Sequence, residues 1–407
     1  MRRVLLVIGV VLALTGLALA AYAALRAGPG KPSGSPGSTG ASRTGASASA
    51  RPNPPGPDAC VAAMVAGMSL EGRVGQLLMV GTPIADPTTL SDTIRRYRLG
   101  GVFLAGRSSQ SAATLRQNIE ALQGIAVAAT GLRAQIALDQ EGGLVQTLKG
   151  NDFPPIPSAV QQGQWDDATL HGRTVDWAGR LAKAGVTMDL APVADTVPAG
   201  TASANPPIGA LNRQYGSDPD QVARDITTVV DAAQSTGLVT TLKHFPGLGR
   251  VRANTDTSTQ AVDPLTTVDD PFLKPFAAGI RAGSGAVMVS SASYPRLDPQ
   301  AIAAFSTPII TGLLRQRLGF TGVVVSDDLG AAVAVSGLPV GERAVRFIQA
   351  GGDLALTVRP ADAGPMVAAL LAAARQSAAF AARVTDAAQH VVRGKLRAGL
   401  VSCSSHS

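Results

Sequence analysis

Eight short, almost continuously apolar segments constrain the fold of this chain more than any other feature of its sequence. They are GQLLMVG (75–81), GGVFLAG (100–106), AQIALDQ (134–140), GVTMDLAPV (185–193), LVTTLKHF (238–245), GAVMVSS (285–291), GVVVSDD (322–328) and GDLALTV (352–358). Such segments are typical of parallel strands that are buried on both faces. Their alternation with longer amphipathic stretches is typical of an α/β fold.

The stretches between these segments repeat their apolar residues at helical spacing. Residues 111–129 begin with a Ser in a capping position, and residues 218–237 open with acidic residues and close with Gly. The same pattern covers residues 338–351 and 360–376. The alternation predicts one catalytic domain folded as a (β/α)8 TIM-like barrel. A doubly wound open sheet is the alternative, because the number of strands is not fixed by the sequence pattern alone.

Polar residues collect at the C-terminal ends of five of the eight segments. They are Asp139, Asp189, Lys243 with His244, Ser291, and Asp327 with Asp328. In a barrel those ends converge on one face, where active sites lie. One charged residue at a strand end is usually a cap or an ion-pair partner, whereas five strands that end this way indicate a functional site.

The N-terminal part of the chain predicts export. Two arginines precede an apolar segment, residues 4–25, that can cross a bilayer at about 1.5 Å per residue. We expect residues 1–26 to be a membrane anchor or a signal peptide, and the protein to be extracytoplasmic, membrane-anchored or secreted. Residues 27–57 are rich in Gly, Ser and Pro and predict a disordered linker, which leaves residues 58–407 for the barrel.

The net charge of +7 does not indicate a nucleic-acid partner. Residues 1–57 hold six basic residues and no acidic one, so the remainder has 29 basic and 28 acidic residues. The folded part is therefore nearly neutral, and we expect no nucleic-acid binding.

The two cysteines, Cys60 and Cys403, lie near the two ends of the folded part. In an oxidising compartment we expect them to form a disulfide, with two unpaired thiols as the alternative. Two cysteines and four histidines do not favour a metal site. No Gly-rich stretch has the strand-to-helix context of a dinucleotide site. We therefore predict no metal and no cofactor. We also expect the protein to be a monomer.

Six motifs follow one another along the chain: MSLEGRVGQLLMVG, LDQEGGLVQ, GALNRQYGSDP, LKHFPGLGR, AVMVSSASYP and VVVSDDL. In this order and approximate spacing they resemble family 3 glycoside hydrolases, in the single-domain bacterial branch of β-N-acetylglucosaminidases (β-hexosaminidases). The resemblance covers the chain from about residue 60 to its end. It implies a barrel enzyme that hydrolyses β-glycosidic bonds of cell-wall, peptidoglycan-type sugars with retention.

The resemblance also implies roles for single residues. The first Asp of SDD, Asp327, matches the nucleophile, in agreement with its place at the end of an apolar strand. Asp328 points the other way by strand alternation, and we expect it to be structural. Four residues match the sugar-binding positions: Asp139, Arg213, Lys243 and His244.

Three of the neighbouring roles stay open at this point. We expect Glu141 to make a loop or supporting contact. Asp189 is placed either to support the site or to close a loop. His244 has the alternative of a purely structural hydrogen bond at the barrel mouth.

The chain departs from the family pattern at the proton donor. In the family, a His two residues after an Asp forms the general acid/base dyad in the loop after KHFPG, but here these positions hold Asp256 and Asn254. Arginines and histidines usual elsewhere in the site are replaced by Leu144, Thr147, Leu248 and Ser291. We assign the acid/base role to Asp256, because burial can raise a carboxyl pKa toward the working pH.

Two other interpretations follow from the same departures, and one hypothesis is independent of them. The barrel could bind a glycan with little or no turnover, as a catalytically impaired scaffold. The substrate could instead carry a good leaving group and need no strong acid. An unrelated barrel lyase with a Schiff base on Lys243 is a third hypothesis.

Overall fold

The structure is a computed structural model that describes residues 56–403. The predicted anchor, residues 1–26, and nearly all of the predicted linker lie outside the described residues. Within the part of the chain that is described, no helix has the length and apolar character needed to span a membrane.

Eight parallel strands form the centre of the fold. They are β1 (Leu78–Pro83), β2 (Gly101–Ala105), β3 (Gln135–Leu138), β4 (Met188–Asp189), β5 (Val239–Phe245), β6 (Ala286–Val289), β7 (Val323–Ser326) and β8 (Ala355–Thr357). Each strand pairs in parallel with the next one along the chain, and β8 pairs with β1. A parallel bridge between Val325 and Leu354 joins β7 to β8. The sheet therefore closes, and the predicted (β/α)8 barrel is confirmed.

Helices cover the outside of the barrel. They are α1 (Pro57–Ala66), α2 (Leu70–Gln76), α3 (Ser91–Tyr97), α4 (Ala112–Thr130), α5 (Ala159–Gln162), α6 (Asp167–Lys183), α7 (Pro219–Gln234), α8 (Lys274–Arg281), α9 (Val340–Ala350), α10 (Ala363–Gln376) and α11 (Ala378–Arg397), with a π-helix at Pro308–Arg317 between β6 and β7. Ser111 caps α4 by accepting a hydrogen bond from the Thr114 N–H at 3.1 Å. The four helices predicted from apolar spacing are all present.

Two apolar layers hold these elements together. The larger lies between the strands and the surrounding helices and contains side chains such as Leu78, Ile136 and Leu242. The smaller fills the interior of the barrel with residues such as Met79, Phe103, Ala137, Met188 and Met288. Since strand residues alternate between these layers, the polar residues at the strand ends are directed into the mouth of the barrel.

The two ends of the described chain are joined to each other. Asp58 of α1 forms an ion pair with Arg393 of α11, with 3.0 Å between Oδ1 and Nε. Cys60 and Cys403 form a disulfide, with their Cα atoms 5.9 Å apart. The predicted pairing is confirmed, and it fixes α1 against the C-terminal end of α11.

Candidate active site

A pocket of about 450 Å³ opens at the carboxyl ends of the barrel strands. Its walls contain all six residues to which catalytic or sugar-binding roles were assigned: Asp139, Arg213, Lys243, His244, Asp256 and Asp327. These residues come from different strand ends and loops, so the barrel brings together groups that are far apart in the sequence.

Asp327 and its neighbour Asp328 have different surroundings. Asp327 follows β7, its N–H donates to the Val289 carbonyl at 3.0 Å, and its Oδ1 accepts the Asp328 N–H at 2.9 Å. The carboxylate of Asp328 instead accepts backbone N–H groups of Gly330, Ala331 and Val358. Asp328 therefore holds the loop, whereas Asp327 keeps one carboxylate oxygen without a hydrogen-bond partner among the described residues.

Glu141 is the centre of the charged network. Its Oε1 lies 2.6 Å from both Arg213 Nη2 and Lys243 Nζ, and its Oε2 accepts from Arg213 Nε at 2.8 Å. Lys243 Nζ also donates to Asp139 Oδ1 at 2.6 Å. Glu141 and Lys243 are almost completely buried, whereas the Asp139 side chain is 28% exposed. Asp139 can therefore contact a ligand in the pocket. Glu141 holds Arg213 and Lys243 in place.

The charges in this network stabilise one another. Burial by itself raises the pKa of Glu141, but the charges of Arg213 and Lys243 outweigh it and lower that pKa to about 2. Burial by itself lowers the pKa of Lys243, but the carboxylates of Asp139 and Glu141 outweigh burial. The pKa of Lys243 therefore lies above its ordinary value. The glutamate and the lysine are thus both charged at neutral pH.

His244 is oriented by a buried aspartate. The Asp195 carboxylate accepts the His244 backbone N–H at 3.1 Å and lies 2.7 Å from its ring Nδ1. It also accepts the Leu248 N–H at 2.8 Å, and its side chain is fully buried. With Nδ1 held in this way, the other ring nitrogen, Nε2, lies 3.4 Å from Arg213 Nη2 at the pocket wall.

Asp189 lies behind the network rather than in the pocket wall. Its Oδ1 accepts the Gln140 N–H at 3.0 Å. Burial raises its pKa to about 7, and the negative charges of Asp139 and Glu141 add to this effect. Asp189 therefore supports the loop that carries Glu141 instead of presenting a charge to a ligand.

The loop that carries Asp256 is joined to the loop that carries Asp327. The Val333 N–H donates to the Asp256 carbonyl at 3.3 Å, and the Ala334 N–H donates to the Thr255 carbonyl at 3.0 Å. The Asp256 side chain is exposed at the edge of the pocket. Loss of hydration in the loop raises its pKa, and the nearby charge of Asp327 raises it further against the opposing effects of His244 and Arg213.

The comparisons with known proteins decide the family. Residues 69–394, most of the chain, match the model of the glycosyl hydrolase family 3 N terminal domain. The chain belongs to glycosyl hydrolase family 3. The resemblance stated from the sequence motifs is therefore confirmed.

Relatives with known names agree with this membership. A beta-hexosaminidase of Stenotrophomonas maltophilia (strain K279a) is 34% identical over 293 residues, which cover 70% of this chain and 84% of the relative. The solved beta-N-acetylhexosaminidase of Beutenbergia cavernae DSM 12333 is 45% identical, with a TM-score of 0.79, and the match covers 80% of this chain and 98% of that one. A family 3 beta-N-acetylglucosaminidase from Paenibacillus sp. str. FPU-7 is 28% identical, with a TM-score of 0.75 over 84% of this chain and 66% of that one. This family 3 protein is thus a β-N-acetylhexosaminidase-like glycosidase.

The positions at which this family 3 glycosidase departs from the family pattern have different surroundings. Leu144 is 61% exposed, whereas Leu248 is 2% exposed and lines the pocket. Thr147 and Ser291 are buried, and Ser291 Oγ has no hydrogen-bond partner in the described chain. Of these four positions only Leu248 lines the pocket, where it places an apolar side chain at a position that holds a histidine in the family pattern.

Sequence reasoning missed one residue of the site and left the partners of another unspecified. Asp195 was not singled out, although it lies two residues after the fourth apolar segment and fixes His244. Glu141 was expected to make a loop or supporting contact, and the structure shows it to be the shared partner of Arg213 and Lys243. The sequence signal for Asp195 was its place shortly after an apolar segment, at a predicted strand end. Nothing in the neighbouring sequence indicates its partner, His244, which lies 49 positions later.

A metal centre has no structural support in the described part of the chain. No group of three or more His, Cys, Asp or Glu side chains between residues 56 and 403 is arranged to hold a metal ion. The dense ion pairs at Glu141 involve cationic side chains instead.

Proposed function

We propose that this protein is a retaining β-N-acetylglucosaminidase with Asp327 as nucleophile and Asp256 as general acid/base. The observation that carries the proposal is the shared pocket, whose wall contains both carboxyl groups together with Asp139, Arg213, Lys243 and His244. Most retaining glycosidases use two carboxyl groups that flank one glycosidic bond, one as nucleophile and one as general acid/base.

The reaction proceeds by two displacements. In the first, the Asp327 carboxylate attacks the anomeric carbon, the glycosidic C–O bond breaks, and protonated Asp256 gives its proton to the departing oxygen. In the second, the Asp256 carboxylate takes a proton from water while the water oxygen attacks the glycosyl-enzyme and releases Asp327. The sugar leaves with its original configuration, and both carboxyl groups return to their starting states.

The remaining residues orient the sugar. The partly exposed Asp139 accepts hydrogen bonds from ring hydroxyl groups, which a carboxylate binds more strongly than a neutral acceptor does. Arg213, Lys243 and His244 provide donors and positive charge beside the ionised nucleophile. Glu141 and Asp195 keep these donors in place through the contacts described above.

The substrate assignment comes from the relatives. The three relatives described above are named a beta-hexosaminidase, a beta-N-acetylhexosaminidase and a beta-N-acetylglucosaminidase. We infer a β-linked N-acetylglucosamine residue, released from the nonreducing end of a peptidoglycan-type fragment. The apolar side chain of Leu248 at the pocket wall is expected to weaken charge-dependent contacts to that fragment.

We infer an extracytoplasmic location, with residues 1–26 as anchor or signal peptide and the protein acting as a monomer. The charge and apolar pattern of the N-terminus support export, and the Cys60–Cys403 disulfide is typical of an oxidising compartment. Protease treatment of intact cells tests this location, since a cytoplasmic protein would resist digestion.

The activity test uses the purified chain and 4-nitrophenyl N-acetyl-β-glucosaminide. We expect turnover that Asp327→Asn abolishes, together with a covalent adduct on Asp327 when a slowly hydrolysed fluorinated glycoside is added. An adduct on another residue, or an unchanged rate in the Asp327→Asn variant, would overturn the assignment of the nucleophile.

The second hypothesis is glycan binding with impaired catalysis. The exposure of Asp256 and the absence of a histidine from its loop favour it. Muropeptide binding by the wild-type chain, without turnover of any β-glycoside, would replace the catalytic proposal with this one.

A further inference from the structure

A second cavity lies at the opposite end of the barrel from the candidate active site. It has a volume of about 210 Å³ and is lined by residues at or before the amino ends of the strands, among them Met188, Val239 and Val323. Val391 of α11 forms part of its wall and packs with the side chains of the barrel interior. The cavity is thus the lower end of the barrel interior, bounded on one side by α11.

One buried polar group inside this cavity has no partner. Gln135 is the first residue of β3 and is 4% exposed, and its Nε2 makes no hydrogen bond within the described chain. Ala137, two residues further along the strand, belongs to the interior cluster, so the Gln135 side chain also points into the barrel. A buried amide N–H without an acceptor is costly, and a ligand oxygen would remove that cost.

The rim of the cavity carries a positive charge. Arg397, the last residue of α11, lines the cavity and is exposed. Within residues 56–403 no hydrogen bond or ion pair involves its side chain, and no acidic residue lines the cavity. The rim therefore favours a negatively charged group, whereas the wall formed by Met188, Val239 and Val323 favours an aliphatic one.

We propose that this cavity binds a short aliphatic oxo-acid. Its carboxylate pairs with Arg397 at the rim, its carbon chain contacts the apolar wall, and its inner carbonyl oxygen accepts from Gln135 Nε2. The volume limits the ligand to a small molecule, since pockets for drug-sized ligands exceed about 300 Å³. The site is separate from the catalytic face and does not depend on the proposed glycosidase activity.

Three series of probe molecules separate the contribution of the Arg397 contact from that of the Gln135 contact. The oxo-acids 4-oxopentanoate, 5-oxohexanoate and 6-oxoheptanoate carry both groups at different spacings. The matching alkanoates lack the inner oxygen, and the matching methyl ketones lack the charge. Binding to the full chain is measured by calorimetry and by ligand-observed NMR. We expect one oxo-acid to bind about tenfold more tightly than its alkanoate and its ketone.

Matched variants test where the best oxo-acid binds. Gln135→Met keeps the length of the side chain and should make the oxo-acid and the alkanoate equal in affinity. Arg397→Gln should make the oxo-acid and the ketone equal, and Arg397→Lys should restore part of the difference. Arg281→Gln removes another exposed arginine that does not line the cavity and should change nothing.

Two controls keep the result interpretable. Thermal unfolding without ligand must show that every variant folds cooperatively, with Gln135→Met at least as stable as wild type, and the glycosidase rate, measured on the other face, should be unaffected by the substitutions. Equal affinities of all three probe series for the wild-type chain would overturn the proposal. So would an affinity for the oxo-acid that persists in both Gln135→Met and Arg397→Gln.

Discussion

The surroundings of two acidic residues near the pocket shift their pKa values in opposite directions. Glu141 contacts two cations, and its pKa falls to about 2, whereas Asp189 contacts only a backbone N–H and its burial raises its pKa to about 7. Both are buried, so burial alone does not decide the charge of a carboxyl group. The number of cations in direct contact decides it, and only Glu141 has them.

Asp189 should make the stability of the protein depend on pH. Its pKa is higher in the folded chain than the ordinary value of 3.8, so the folded state binds the extra proton and stability falls as pH rises from about 4 to about 7. Asp189→Asn removes this proton but keeps an oxygen for the Gln140 N–H. In urea titrations, the variant should gain up to about 1.4 kcal/mol of unfolding free energy over wild type per pH unit in that range.

The control for this prediction is Asp176→Asn, which removes an exposed partner of Arg180. Its difference from wild type should stay within about 0.5 kcal/mol at every pH. A difference between Asp189→Asn and wild type that is constant from pH 4 to pH 7 would show that Asp189 is ionised throughout.

The raised pKa of Asp256 predicts the alkaline side of the activity profile. A general acid must be protonated, so kcat/KM should fall as pH rises through a value above the ordinary 3.8 of an aspartate. Asp256→Asn should lose about 10²- to 10⁴-fold in rate on a substrate with a poor leaving group and should lose this pH dependence.

A substrate with a good leaving group separates this role from a structural one. The first step of 2,4-dinitrophenyl glycoside hydrolysis needs little proton donation, so the release of dinitrophenol in the first turnover should be nearly normal in Asp256→Asn. Equal losses for both substrates in that step would mean that Asp256 positions the sugar instead.

At the level of elements, a buried carboxylate joins three parts of the barrel wall. Asp353, just before β8, is fully buried and accepts the Val324 N–H of β7 at 2.9 Å. Its oxygens also contact Arg315 of the π-helix, and Arg383 and His390 of α11. Contact with Arg315, together with His390 and Arg383, holds the pKa of Asp353 well below its usual value in spite of its burial.

Asp353→Asn should therefore destabilise the fold strongly. The substitution leaves two arginines beside a neutral group in a buried position, which typically costs about 3–5 kcal/mol. Guanidinium unfolding curves measure the loss. Asp386→Asn is the matched control, because it removes the exposed partner of the same Arg383 and should cost less than about 1 kcal/mol. Similar losses in the two variants would contradict the argument from burial.

Secondary-structure elements were predicted from the sequence better than side-chain contacts were. All eight strands and the four helices were predicted because apolar spacing is a local property. The fourth strand was predicted over 185–193, but only Met188–Asp189 is regular strand. Beyond it the ladder continues as single contacts on either side of Pro192, which has no N–H: Leu190 N–H to the Leu138 carbonyl, and the Val193–Lys243 bridge. The pairing of Glu141 with Arg213 spans 72 positions and has no local signal. The motif resemblance identified the pocket residues, while the arrangement of their partners required the closed barrel.

At the scale of the whole barrel, the two ends of the described chain are joined away from the candidate active site. Val391 and Arg397 of α11 line the cavity at the amino ends of the strands, and Cys403 follows six residues later. The first described residues are fixed to the same end of α11 by the Asp58–Arg393 pair and the disulfide. The joined ends of the described chain therefore lie at the opposite end of the barrel from the candidate active site.

The disulfide should contribute to global stability without affecting turnover. It joins residues separated by 343 positions, and a loop of that length gives a large loss of entropy in the unfolded chain, with about 2–5 kcal/mol expected. The Cys60→Ser/Cys403→Ser double variant should unfold at a lower guanidinium concentration than wild type and keep its kcat/KM at 25 °C. Dithiothreitol should lower the stability of wild type to that of the double variant and have no effect on the double variant itself. An unchanged unfolding midpoint in the double variant would mean that the packing of α1 on α11 alone fixes the two ends.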